Sequence, residues 1–90
     1  MNAKLPYASL QDLEQVVRQC HRIAFTYKGT RYEAEPHRIG SAKRTNAIVA
    51  IMLIDGLGWR EVPFAEIRGM EVLRGAFVRG EPEGKLYRLA

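Results

Sequence analysis

The sequence predicts a mainly β protein: one N-terminal helix laid on a small, strongly bent barrel of about five short strands. Three observations carry this expectation. Apolar residues recur at helical spacing between Leu10 and Cys20. From Arg22 onward, short apolar or alternating runs are separated by turns that carry glycine. Short antiparallel strands in a small chain usually hide their edges by curling into a barrel. Ninety residues suffice for a single modest core. The chain is therefore read as one domain, with the helix at about 9–21, the barrel at about 22–77 and a loose tail at 78–90.

Taken in order, "YASLQDLEQVVRQCHR" opens on a helix signal. Ser9 is placed to cap backbone donors, and Asp12 completes a capping-box pattern near the positive helix end. Leu10, Leu13, Val16, Val17 and Cys20 form the apolar stripe, and Glu14 and Arg18 make an i,i+4 pair in the favourable order. "RIAFTY" and "TRYEAEP" alternate on either side of Lys28-Gly29, which predicts a hairpin. "HRIGSAKRTNA" is expected to be a polar loop, because Pro36 lacks the amide that a central ladder needs. "AIVAIMLID" is continuously apolar, as in a central strand covered on both sides. "GLG" then turns the chain into "WREVP", "FAEI" is a single turn, and a last main strand is expected at about 69–74. The tail is either loose or a short extra strand ending in Leu86, Tyr87 and Leu89.

Composition narrows the function classes. The apolar share of 47% and charged share of 27% are those of an ordinary globular chain. The apolar run from Ala47 to Ile54 falls far short of the ~20 residues that span a bilayer, so no membrane association is expected. The first residues lack a hydrophobic signal core, and the single cysteine cannot form an internal disulfide, which together suggest a cytoplasmic protein. The net charge of +4, with ten of the 14 basic residues arginine, favours polyanionic partners by long-range attraction.

Catalytic signatures are absent. Ser9 and Ser41 lie outside any Gly-x-Ser-x-Gly elbow, and "DGLGW" opens a strand rather than the helix of a phosphate loop. His21, His37 and Cys20 have no metal-site spacing, and Asp12 and Asp55 read as a cap and a turn residue. Neither an enzyme nor a cofactor or metal site is expected.

Four stretches, "IAFTYKG", "RYEAEPHRIG", "GWREVPFAEI" and "EVLRGAF", resemble those of a WYL domain, a small bacterial module of transcription regulators. The matching positions are Phe25, Tyr27, Arg31, Pro36, Ile39, Trp59, Arg60, Ile67 and Phe77, spread over roughly 21–77. The chain departs from the family in its central strand, "NAIVAIMLID", which lacks the naming Trp-Tyr-Leu. It also has Pro63 where many members place an arginine, and it is expected to stand alone, without the winged helix that family members tend to follow. The resemblance implies an Sm-like, SH3-type barrel that binds nucleic acid or a nucleotide-like ligand through basic and aromatic residues, with regulatory consequences.

The residues themselves offer a matching candidate site for single-stranded nucleic acid or a small anionic ligand. His37, Arg38, Lys43 and Arg44 cluster in and around the expected loop, joined by Arg31, Trp59 and Arg60. The competing reading is a solvated surface in which Glu33 and Glu35 neutralise the arginines. Strand alternation puts Arg31, Glu33, Glu35 and His37 on one face and Tyr32, Ala34 and Arg38 on the other. Trp59 either stacks a base or plugs the core. A protein–protein or homodimer module, pairing through a barrel edge or the helix stripe, is the alternative function.

Overall fold

The computed structural model describes residues 6–89. Its element order is helix α1 (Leu10–Gln19) followed by strands β1 (His21–Tyr27), β2 (Thr30–Ser41), β3 (Ile48–Ile54), β4 (Gly58–Pro63), β5 (Ile67–Ala76) and β6 (Tyr87–Arg88), with a single 3-10 turn (Phe64–Glu66) between β4 and β5. The protein is thus mainly β with one α-helix. Ser9 caps α1 as expected, its side chain accepting from the Asp12 amide. Cys20 ends the helix in the left-handed region, with φ 56°. Lys28 (φ 48°) and Gly29 (φ 81°) both take positive φ, the pattern of the two-residue type I′ hairpin.

The expected closed five-stranded barrel is not what forms. The strands make one open six-stranded sheet in the order β5-β1-β2-β3-β4-β6. β4 and β5 do not meet; terminal segments cover part of each edge instead. Tyr7 bridges Arg68 of β5, with Ala8 N donating to Ile67 O at 3.3 Å and Gly69 N to Pro6 O at 2.8 Å. On the other side β6 pairs in parallel with β4, matching Tyr87 to Arg60 and Arg88 to Glu61. These additions satisfy edge amides and carbonyls that closure would otherwise satisfy.

The core lies between α1 and the concave run of the sheet: Leu13 and Val16 pack with Ile23, Phe25, Tyr27, Met52, Ile54, Val62 and Ile67. Leu89 joins it from the far end of the chain, only 3% exposed. Of the two expectations for the tail, the short extra strand is the one that forms, at Tyr87–Arg88, and its end is anchored. Residues 77–86 run as a strap from the end of β5 to β6, tied at Phe77 N to Cys20 O (3.1 Å) and at Gly80 N to His37 Nδ1 (2.9 Å). Arg79 adds a further tie by donating to the Val17 and Arg18 carbonyls. A cation placed there answers both the unpaired carbonyls and the negative end of the helix dipole.

β2 shows the second departure. It continues through Pro36 to Ser41, so His37 and Arg38 belong to a strand and the connecting loop shrinks to 42–47. A β-bulge makes this possible, because the register steps from Pro36↔Met52 to Arg38↔Ile51 and leaves His37 as the extra residue. Proline is tolerated at a bulge, where a ladder amide is not required. The bulge also inverts the alternation beyond it. Ile39 now pairs with Ala50 and packs against the core, while Arg38 moves to the opposite face.

Candidate functional site

The outer face of β2 is organised by one partly exposed ion pair network. Arg22 on β1 reaches Asp55 at 2.6 Å, Glu35 at 3.5 Å and Glu33 at 3.9 Å. The hydrogen bond to Asp55 raises the Arg22 pKa above its ordinary value. The charges of Asp55, Glu35 and Glu33 add to it and together outweigh the cost of burial. Glu35 also takes a hydrogen bond from His37 Nε2 at 3.1 Å. Because His37 Nδ1 accepts the Gly80 amide, its proton sits on Nε2, and that geometry selects one tautomer. The ring is only 4% exposed and lies against Trp59 (centroids 4.6 Å apart) and Phe77 (4.5 Å).

These contacts sort the residues that the sequence singled out. His37 is a buried latch between β2 and the strap, with neither ring nitrogen free for a ligand. Trp59 is half-buried, with its ring tilted by 55° against His37. Arg31 spans β1: it donates to Thr26 Oγ1 (3.1 Å) and Gly69 O (2.7 Å) and pairs with Glu71 at 3.1 Å. Its role is to clamp β2 to β5, which is the neutralised-arginine reading. Arg60 stands opposite Met52 on the core-facing side, donates to the Trp59 carbonyl at 2.7 Å, and so does not share a face with the Trp59 ring. The structure therefore separates Arg31, Trp59 and Arg60 from the remaining three, while the buried His37 borders the same cavity as Arg38.

Arg38, Lys43 and Arg44 are different. All three are exposed, and among the described residues none has a carboxylate within ion-pair distance. Lys43 and Arg44 sit in the 42–47 turn, which is held by Ala42 N to Ala47 O (2.8 Å) and Asn46 N to Ala42 O (2.9 Å). A cavity of about 460 Å³ opens beside Arg38, lined by Val17, Ile39 and strap residues Arg79 and Glu81. The bulge is what turns Arg38 onto this outer surface, contrary to simple alternation.

Sequence reading missed a second cluster, in which Tyr7, Lys28 and Arg68 from three separate segments line one cleft. No local spacing links them; only the pairing of residues 6–8 with β5 brings them together. Among the described residues no group of three or more His, Cys, Asp or Glu side chains is arranged to hold a metal ion. No helix in them is long and apolar enough to cross a membrane.

Fold and site together define a small β-sheet protein that presents unpaired cations on a short, hydrogen-bonded turn. No family model, no curated protein and no solved structure matches this chain.

Proposed function

We propose that the protein is a non-catalytic, WYL-like regulatory binding module that takes single-stranded nucleic acid or a small anionic, nucleotide-like ligand. The observation that carries this reading is the exposed trio Arg38, Lys43 and Arg44, free of carboxylate partners among the described residues. Each phosphate that these cations neutralise releases counterions. A labelled oligothymidylate titrated at low and high salt tests the proposal. Replacing Arg38, Lys43 and Arg44 together by glutamine is expected to abolish most binding at low salt and to flatten the log–log salt slope by about 2. Unchanged affinity in that triple variant overturns it.

A second reading, as an interaction module, is favoured by one observation. Beyond Gly69, β5 has no partner on its outer edge among the described residues, and Val72 is 55% exposed there. Such an edge invites pairing with another chain. Light scattering is the measurement: under this reading a stable dimer forms that Val72→Pro disrupts and oligonucleotide does not affect.

A further inference from the structure

The cleft at the β1–β2 hairpin carries a different assignment, independent of the Arg38 end. It is an open groove of about 650 Å³, a volume in the range of small-ligand sites. Its wall is Tyr7, which is 76% exposed although its backbone is fixed by the bridge to Arg68. The Arg68 guanidinium lies over the Tyr7 ring, with its central carbon 3.8 Å from the ring centroid. Arg68 Nη1 is spent on the carbonyls of Ala65 (2.6 Å) and Ile67 (3.1 Å). Those bonds hold the group in place and leave Nε and Nη2 without a hydrogen-bond partner among the described residues. Lys28 enters from the hairpin, its ammonium 5.4 Å from the Tyr27 ring centroid. The acidic member of the wall, Glu66, faces Arg88 at 3.7 Å, so its charge is balanced from outside the cleft.

We infer that this cleft binds a nucleoside phosphate. A flat base finds a π-face on the exposed Tyr7 ring, already stiffened by the guanidinium stacked on it. The phosphate finds two cations, Lys28 and the free donors of Arg68, within the same cleft. Neither a bare anion nor a bare aromatic uses both halves of the site, and a nucleotide uses both. The hairpin tip and the 42–47 turn lie at opposite ends of β2, so the two cationic surfaces act separately.

Adenosine 5′-monophosphate and inorganic phosphate, titrated in parallel by calorimetry with amide NMR shifts as the locator, form the test. The nucleotide is expected to bind at least tenfold more tightly than phosphate and to shift the amides of Tyr7, Lys28 and Arg68. Tyr7→Ala and Arg68→Gln each weaken it tenfold or more, whereas Tyr7→Phe retains binding because the ring is kept. Tyr7 is exposed, so its variants leave the fold intact and keep the test valid if Arg68→Gln unfolds. In the Arg38, Lys43 and Arg44 triple variant the nucleotide still shifts the amides of Tyr7, Lys28 and Arg68, and loss of oligonucleotide binding there leaves this cleft untouched, so the two proposals fail separately. Equal affinity for phosphate and nucleotide, or indifference to Tyr7→Ala, overturns the assignment.

Discussion

His37→Ala is expected to lower the unfolding free energy by about 4 kcal/mol, with a fall in Tm of roughly 20 °C. A 90-residue domain holds only about 5–13 kcal/mol in total, so this is a large fraction. Three losses combine. The ring leaves a gap between Trp59 and Phe77, whose stacking contacts on it are worth about 0.5–1.5 kcal/mol each. The Gly80 amide loses its acceptor and turns to water, since Gly80 is exposed, a net loss of about 0.5–1.5 kcal/mol. Glu35 loses one of its two donors, though Arg22 still holds the other. His37→Phe restores the ring contacts without the hydrogen bonds, and should recover roughly half the loss. Urea unfolding followed by Trp59 emission measures both, and the alanine variant should also show a red-shifted native emission and faster proteolysis within 77–86. A loss below about 1 kcal/mol for His37→Ala would show that the strap does not depend on this latch.

The second large effect is expected at Leu89. Truncation to alanine should cost about 3 kcal/mol, in the range for a buried leucine whose site collapses only partly. The residue lies beside β4, its amide donating to Glu61 O at 2.9 Å, while its carbonyl accepts from Tyr27 Oη, also at 2.9 Å. Tyr27 is 1% exposed, so detaching the end of the chain would strand a buried hydroxyl as well as open the core. Tyr87→Ala on the same segment is the control, because Tyr87 is 59% exposed and should change stability by less than about 0.5 kcal/mol. Equal effects for the two substitutions in thermal unfolding would contradict the anchoring role.

Both predictions concern contacts that local pattern does not encode, and this marks where the sequence was legible. The helix was readable from Ser9 and the Leu13–Val16 stripe, because capping and 3.6-residue periodicity act within a few residues. The Lys28-Gly29 hairpin was readable because Gly29 suits the positive φ that such a turn needs and alternating runs flank it on both sides. The apolar β3 was readable from its unbroken run. Pro36 was correctly seen as incompatible with a regular ladder, but two solutions satisfy that constraint, a strand end or a bulge. Only the pairing partner, β3, decides between them. Arg38 was therefore assigned to the wrong face, and His37 was read as part of an open cationic loop rather than as a buried bridge.

The candidate site was legible to the extent that charge is visible in composition. Lys43 and Arg44 were found as turn cations and remain exposed. Arg31 looked equally available, yet its partners, Gly69 and Glu71, lie 38 and 40 residues away. Tyr7 and Arg68 were passed over because nothing near either of them in sequence announces the other.

By itself, then, the sequence determined the helix, the order of the main strands, where the tight turns fall, and that cations outnumber carboxylates, but not that β2 runs on through Pro36 to Ser41. Tertiary structure alone decided that the sheet stays open with terminal segments on part of its edges, that a bulge reverses the faces after Pro36, and which cations remain unpaired. The physical reason is range. Periodicity, caps and turn φ values are local terms, whereas the bonds from Gly80 to His37 and from Tyr27 to Leu89 span 43 and 62 residues and exist only once the sheet has formed.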